Sequence, residues 1–272
     1  MRHLHMDFAA LGLLAFLAAT SPVAAQAPGN ASPGSGGPSA STIMESVYNR
    51  PKPTDTSALL TMTMVDSKNR ERVRSLKQLS ASFKTADKKI MEFQSPADVR
   101  GTSFMNWSYA DSTKSDDQWI YLPALKRVKR ISSDGKGDSF MGSDFSYDDL
   151  GERQPGKDEH RIIGSDKIGD AECWVIESRP RDSSFSYSRT VSWISKTAPI
   201  GFRRDYYDKR DQLLKTLVVR QTQVIDGFLM ITQTEMHNVQ KDHRTKMSFT
   251  SLQVNKGIRE EMFAERTMTK GL

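Results

Sequence analysis

The sequence predicts a mainly β protein built on antiparallel strands. Between residues 55 and 255, apolar and polar residues alternate in one segment after another; Leu60, Met62 and Met64, for example, are separated by threonines. Alternation with a period of two is typical of strands that bury one face of a sheet. Turn-forming stretches separate these segments, and no long helical segments alternate with them, which argues against a parallel Rossmann-type sheet. We expect about ten or eleven strands.

Residues 1–25 have the pattern of an export signal. Arg2 precedes an apolar stretch, residues 8–19, which is too short to span a bilayer as a helix. Val23 and Ala25 then supply the small residues that a signal peptidase recognises. We therefore predict cleavage before about Gln26 and export of the mature chain.

Residues 26–41 are rich in Gly, Pro, Ser and Ala, which cannot form a packed face, so they predict a flexible leader. Folding is expected to begin at Thr42, because Thr42 and Glu45 have capping-box spacing before a short amphipathic helix. Pro51 and Pro53 end that helix. Residues 42–272 are predicted to form a single domain, with further short helical segments near residues 138–150 and 258–265.

The charge balance suits an anionic partner. The chain has 39 Lys and Arg against 33 Asp and Glu, a net charge of +6. Such a balance fits a phospholipid surface as well as nucleic acid. The basic residues are interspersed with acidic ones and the chain is predicted to be exported, which disfavours nucleic acid. Cys173, the only cysteine, cannot form an internal disulfide and is expected to be a small buried residue.

The sequence contains no recognisable catalytic motif. After signal removal only three histidines remain, and no zinc-binding helix, nucleophile elbow or phosphate-binding glycine loop occurs. No pattern brings together a nucleophile, a base and a group that orients it. We therefore predict neither catalytic nor metal-binding residues, no cofactor, and a binding protein rather than an enzyme.

A large antiparallel sheet must bury its apolar face, either as a sandwich or as one strongly curved sheet with helices in its hollow. A small number of short helices would cover only part of such a hollow, which leaves an apolar groove in which a ligand could bind. The alternative is that the same residues form a closed core. The predicted lining consists of large side chains in strand segments: Leu60, Met62, Met64, Met91, Phe93, Phe104, Trp107, Trp119, Tyr121, Leu122, Trp193 and Phe202.

The segment that follows the basic residues is predicted to form a helix or lid over the hollow. It contains glycines that can act as hinges, and Phe140, Met141 and Phe145 give it an apolar underside. Such a lid would occupy the groove when empty and swing aside for cargo.

The basic residues between the aromatic strand and this lid have three interpretations. Arg127 and Arg130 could bind anionic head groups or an acidic partner surface. Alternatively, the basic strand protects a sheet edge from aggregation. In the third interpretation its residues pair with Asp144, Asp148 or Asp149 and hold the lid shut.

The same region resembles a known family. The matching segments are WIYLPALKRVKRI at residues 119–131 and KGDSFMGSDFSYDDL at residues 136–150, with weaker similarity in TAPIGFRRDYYD and REEMFAERTMTK. They resemble outer-membrane lipoprotein-sorting proteins, which are similar to the periplasmic lipoprotein carrier LolA. The resemblance implies a half-open antiparallel β-barrel with short helices on its concave side. It also implies a periplasmic protein that binds lipid or a lipid-modified protein.

The resemblance further implies cargo exchange with a membrane exporter of the resistance-nodulation-division type. Contact with membranes would be peripheral, and a monomer is expected. Three classes of function stay open at this point: a carrier that shuttles cargo toward the outer membrane, a sensor or adaptor on the same fold that regulates a partner protein, and a structural or enzymatic sandwich without a hollow.

Overall fold

One antiparallel sheet of thirteen strands dominates the computed structural model, which describes residues 37–272. The predicted signal peptide and the leader up to residue 36 lie outside the described residues. The strands are β1 (Asp55–Val65), β2 (Glu71–Ser82), β3 (Ala86–Ser95), β4 (Ser103–Tyr109), β5 (Asp117–Leu122), β6 (Arg127–Arg130), β7 (Asp158–Ile168), β8 (Ala171–Pro180), β9 (Arg189–Ser195), β10 (Gly201–Tyr207), β11 (Leu213–Ile225), β12 (Phe228–Asn238) and β13 (His243–Val254). The helices are α1 (Ala40–Tyr48), α2 (Tyr147–Leu150) and α3 (Glu265–Lys270). Within this part of the chain, no helix is long and apolar enough to cross a membrane.

The strand order explains how the chain covers its own sheet. The order is β6-β5-β4-β3-β2-β1-β13-β12-β11-β10-β9-β8-β7, so nearly every strand pairs with its neighbour in sequence. Strands β6 and β7 are consecutive in the chain but lie at opposite edges of the sheet, which is not closed into a barrel. The connecting residues, 131–157, must therefore cross one face of the sheet. We call this segment the strap.

The two faces of the sheet are buried by different parts of the chain. On the strap face, the strap packs against residues such as Met62 and Phe93, and α1 packs farther along on Ile176 and Ile194. On the opposite face, residues 258–272, which we call the tail, pack on a second cluster that includes Ile90. The mainly β prediction is confirmed, with a single sheet rather than a sandwich.

The structure has two or three more strands than predicted. The strands that the pattern missed include the edge strand β7, whose residues are all exposed or half-buried, whereas the basic strand was predicted and is the edge strand β6. An edge strand has little apolar surface to bury, so its sequence shows little alternation. The buried position of Cys173 is confirmed.

The helix boundaries also differ from the prediction. Helix α1 begins at Ala40 rather than Thr42, because the side chain of Ser39 accepts the backbone N–H of Thr42 at 3.1 Å and caps the helix. A capping box does occur elsewhere, at α2, where Ser146 and Asp149 satisfy each other's backbone N–H groups. The predicted helical segment near residues 258–265 is a single 3-10 turn, and helix α3 starts only at the end of that segment.

The capping assignment can be tested by two substitutions. Ser39→Ala removes the acceptor of the Thr42 N–H and is expected to lower the free energy of unfolding by ~1 kcal/mol. Thr42→Ala leaves the backbone bond in place and is expected to cost clearly less. Urea unfolding followed by circular dichroism measures both, and a larger loss for Thr42→Ala would show that the helix is capped at Thr42 instead.

Candidate functional site

The strap closes the apolar part of the strap face. Phe140 is fully buried, and its ring centroid lies 5.8 Å from that of Phe93 and 5.4 Å from that of Phe104. Phe145 and Leu150, also on the strap, belong to the same cluster. Six of the predicted lining residues lie in this cluster, at most 1% exposed: Leu60, Met62, Met64, Met91, Phe93 and Phe104.

The predicted lid residues are thus in contact with the predicted lining. Met141 is half-buried and packs on the edge of the same cluster. The segment contains a 3-10 turn at Phe140–Gly142 followed by α2. In this conformation the strap and the six residues form one closed core, so binding of cargo by these residues requires the strap to move.

The other six predicted lining residues are not brought to this cluster. Trp107, Trp119 and Tyr121 belong to the cluster under the tail, on the opposite face. The indole N–H of Trp193 donates to Asp166 at 2.9 Å. Leu122 and Phe202 are half-buried. The expectation of one common lining therefore needs correction, because residues an odd number of positions apart in a regular strand face opposite ways.

A buried ion pair anchors the strap to the sheet. The Lys215 ammonium on β11 lies 2.5 Å from the Asp149 carboxylate, and both side chains are less than 5% exposed. Lys215 also donates to the backbone carbonyl of Asp144 at 2.9 Å. The hydroxyl of Tyr187 donates to Asp149 at 2.9 Å, and burial together with the Asp149 charge raises the pKa of Tyr187 well above its ordinary value.

A second anchor lies earlier in the strap, before α2. The carboxylate of Asp144 pairs with His243 Nδ1 at 2.7 Å and accepts the hydroxyl of Thr245 at 2.7 Å. The guanidinium of Arg74 donates to the backbone carbonyl of Met141. All three partners lie on strands of the sheet, so these directional contacts fix where the strap lies along the strap face.

The hypothesis that the basic strand pairs with the strap's aspartates is therefore wrong. Arg130 pairs with Asp117 instead. The register sets Arg127 opposite Leu122 and Arg130 opposite Trp119, so the two arginines point to opposite faces of the sheet. Both arginines are exposed, on the edge strand β6. A single site could not hold both of them unless it wrapped around that edge.

Two cavities flank the end of the strap. The first, of about 240 Å³, lies between the ends of β1–β4, the residues after α1 and the start of β12. The second, of about 210 Å³, lies beside α1 and Tyr206. Both are lined by Arg50, Lys52 and Glu152.

Charged and polar groups dominate the shared wall of these cavities. Lys52 and Glu152 form an ion pair at 2.7 Å. Burial would raise the pKa of Glu152, but the charge and hydrogen bond of Lys52, together with the charges of Lys89 and Arg50, outweigh burial and hold that pKa below its usual value. Lys89 donates to the backbone carbonyl of Leu150 at 3.0 Å, and burial lowers the pKa of Lys89.

Sequence reasoning missed this polar region, although a signal was present. On the strap face, Leu76 of β2 is followed by Gln78 and Ser80, and Phe104 of β4 is followed by Asn106. The face that is apolar at one end of the sheet thus becomes polar at the other. Asn106 is only 3% exposed and accepts the side-chain N–H of Gln118 at 2.8 Å, so the polar end is built into the fold.

The strength of the strap anchor can be measured by removing one partner. Lys215→Met keeps the length of the side chain but leaves the Asp149 charge buried, so the free energy of unfolding is expected to fall by about 3–5 kcal/mol. Arg181→Met breaks the exposed pair with Glu159 and is expected to cost about 0–1 kcal/mol. Comparable losses in urea unfolding would mean that the buried pair does not hold the strap.

Comparison with known proteins supports the resemblance. A family model described as "Uncharacterized protein" matches residues 85–270. No curated protein matches the chain. Among solved structures, the chain is similar to a domain assigned to the outer membrane lipoprotein-sorting proteins from Vibrio parahaemolyticus, with 30% identity and a TM-score of 0.80 over 85% of this chain and 98% of that one.

Two further structures extend the comparison. A DUF1329 family protein from Desulfovibrio piger is 28% identical with a TM-score of 0.80, over 84% of this chain and 97% of that one. A LolA superfamily protein from Nitrosomonas europaea is 16% identical with a TM-score of 0.66, over 84% of this chain and 98% of that one, which shows the fold alone. The chain belongs to the outer membrane lipoprotein-sorting protein family and has a LolA-like fold.

Proposed function

We propose that this protein is a periplasmic carrier for a lipid or a lipid-modified protein, and that the strap is the movable cover of its cargo site. The observation that carries this proposal is the closure of a large apolar face by a single chain segment rather than by a second sheet. Transfer of an acyl chain from water to such a surface contributes roughly 0.8 kcal/mol per methylene. A chain of about a dozen methylenes would therefore bind without specific hydrogen bonds.

The composition of the covered face suits varied acyl chains. Met62, Met64, Met91, Met236 and Met247 all belong to the cluster under the strap. Methionine side chains are unbranched and polarizable, so they repack around different apolar shapes more readily than branched side chains do. An acyl chain would replace the contacts that Phe140 makes in the closed conformation.

The anchors indicate which part of the strap moves. Asp144 and Asp149 hold the second half of the lid segment by buried polar contacts, which are costly to break. The residues before Asp144 are held by the burial of Phe140, by the bond from Arg74 to the Met141 carbonyl, and by backbone bonds to residues 145–147, such as that from the Phe140 N–H to the Phe145 carbonyl at 2.7 Å. Met141 has a positive φ of 51° and Gly142 one of 78°, so the closed turn is not a relaxed one for Met141. We assign the movement to residues 138–143, with Asp144 as the hinge end.

The family supports the direction of transport that we propose. A lipoprotein-sorting protein with an export signal would collect cargo at the inner membrane and deliver it toward the outer membrane. An exporter of the resistance-nodulation-division type is the proposed inner-membrane partner, with peripheral contact to the membrane and a monomeric carrier. Binding and release of cargo need no catalytic group.

Hydrogen exchange tests the moving strap. The protein would be incubated with vesicles of phosphatidylethanolamine and phosphatidylglycerol, and the bound lipid identified by mass spectrometry. In the lipid complex, exchange in residues 138–143 is expected to be faster than in the free protein, while exchange in the paired strand β8 stays unchanged. Equally slow exchange in residues 138–143 with lipid bound would show that the strap is a fixed plug.

The same vesicles decide between a carrier and a sensor. A carrier releases its lipid to acceptor vesicles, whereas a sensor retains it and binds a protein partner tightly. Failure of the protein to extract any lipid would contradict both.

The basic edge strand is proposed to contact the anionic membrane surface. Reversing the charge of Arg127 and Arg130 together is expected to slow transfer from anionic vesicles far more than from neutral ones. It should also flatten the salt dependence, because such attraction is screened within about 8 Å at physiological ionic strength. Arg127→Glu alone should retain most of the effect, since Arg130 is engaged by Asp117. An equal loss on both kinds of vesicle would show that these arginines stabilise the fold instead.

A further inference from the structure

The first cavity beside the strap is too small for a whole lipid. Pockets that enclose drug-sized ligands measure about 300–1,000 Å³, whereas this cavity measures about 240 Å³. It is therefore sized for a head group, with the rest of an amphiphile outside it. The polar ends of β2 and β4 line it, where Gln78 and Ser80 offer hydrogen-bonding groups and Asn106 is engaged by Gln118 and Ser108.

Most charged groups around this cavity are already engaged. Lys52 pairs with Glu152 at 2.7 Å, and the ammonium of Lys88 pairs with Glu260 on the tail at 2.6 Å. The carboxylate of Asp55 accepts the backbone N–H groups of Lys256 at 2.8 Å and Gly257 at 2.9 Å. These residues contribute no free charge to the cavity.

Three charged side chains are left. Arg50 donates only to the backbone carbonyl of Val47, at 3.1 Å, and Lys89 donates only to that of Leu150. Neither forms an ion pair with a carboxylate of residues 37–272. The side chain of Asp87 makes no hydrogen bond or ion pair to any residue of the described chain, and it lines the same cavity. The cavity thus holds two unpaired cations and one unpaired anion.

One side of the cavity is lined by apolar residues. Leu229, Met230 and Ile231, at the start of β12, line it beside Pro51. They belong to the tip of the β11–β12 hairpin, where six apolar residues surround the turn Asp226–Gly227: Val224, Ile225, Phe228, Leu229, Met230 and Ile231. None of the six is buried, and Val224 is 70% exposed.

The hairpin tip has no other strand beside it. The last pair with β10 is Val218 with Arg203, and the first pair with β13 is Gln233 with Ser248. Residues 221–231 are therefore paired only within the hairpin. Acyl chains that leave the cavity would meet an apolar surface that can shift without breaking ladder hydrogen bonds to the rest of the sheet.

We propose that this cavity binds the head group of an amine-bearing, zwitterionic phospholipid, with its acyl chains leaving along the hairpin tip. Arg50 and Lys89 bind the phosphate, for which the guanidinium supplies a fork of donors. Asp87 binds the ammonium of the head group. A purely anionic head group would satisfy the two cations but leave the carboxylate unpaired, and a quaternary ammonium would offer Asp87 no hydrogen-bond donor. The inference rests on the proposed lipid-carrier function and adds the head-group class and its site.

The test measures discrimination between head groups by one protein sample. Phosphatidylcholine vesicles would carry a small fraction of acyl-chain-labelled phosphatidylethanolamine, phosphatidylcholine or phosphatidylglycerol, and the label extracted by the full mature chain would be measured. The wild-type protein is expected to extract the ethanolamine lipid about tenfold better than the choline lipid, as the loss of a hydrogen bond to a charged group implies. Because each ratio comes from the same sample, it does not depend on the folded fraction of a variant.

Two variants and a control separate the role of Asp87 from that of Arg50. Asp87→Asn is expected to bring the ratio of ethanolamine to choline lipid close to one. Arg50→Gln is expected to reduce extraction of both lipids alike, because both carry the phosphate. Asp170→Asn, at an exposed turn between β7 and β8, should leave the ratio and the total extraction unchanged.

Each other outcome overturns the proposal in a distinct way. Equal extraction of the ethanolamine and choline lipids by the wild type, or an unchanged ratio in Asp87→Asn, rejects the head-group site but leaves the carrier function intact. A preference for phosphatidylglycerol over phosphatidylethanolamine shows an anionic ligand and rejects the role of Asp87. Absence of extraction for all three lipids rejects the carrier function itself.

Discussion

The crossing of the strap from one sheet edge to the other is the constraint on which the rest of the structure depends. Thirteen strands at about 4.8 Å spacing put the edge strands about 58 Å apart along the sheet. A single helix of the strap's length, residues 131–157, would reach only about 40 Å, whereas the extended chain reaches about 90 Å. On a flat sheet the strap could therefore be neither one helix, which would be too short, nor fully extended, which would be too long. Short turns and a four-residue helix in a largely irregular segment satisfy this requirement and leave large side chains free to face the sheet.

Apolar contacts bury the strap, but polar contacts decide where it lies. Burial of Phe140 and Phe145 is not directional, so it would permit several positions along the strap face. The contacts of Asp149 with Lys215 and of Asp144 with His243 are directional and would leave buried charges unpaired in any other position. These anchors therefore require charged groups to lose their hydration, which is unfavourable, but they restrict the strap to a single position. They also divide the strap into a part held by buried charges, which is costly to move, and a part held by Phe140 and by hydrogen bonds of the backbone.

The fold could be predicted from the sequence more completely than the candidate site. The alternation of apolar and polar residues within β1, β3 and β4 was sufficient to predict the six residues that the strap covers. The same rule applied within β4 would have excluded Trp107, which is three positions from Phe104 and faces the tail. Trp119 could be placed only with the pairing register of β4 and β5. The strap's partners could not be predicted, because Lys215 and His243 are 66 and 99 residues away in the chain from the aspartates they hold. Only the topology, with β6 and β7 at opposite edges, brings them together.

Lys89 connects the two regions of the strap face. Its ammonium donates to the Leu150 carbonyl, at the end of α2, and it also lines the cavity beside the strap. The Lys89 ammonium has three N–H donors, and a phosphate in that cavity would draw it away from the Leu150 carbonyl because an ionised acceptor forms the stronger hydrogen bond. Loss of that bond would weaken the attachment of the anchored part of the strap, to which the moving residues 138–143 are joined by the bond from the Phe140 N–H to the Phe145 carbonyl. Head-group binding and release of the cover would then be coupled, and the coupling must be reciprocal: a strap held shut would bind head groups less tightly. A carrier with this arrangement would open toward lipid only where a head group is available, which keeps its apolar face covered in water.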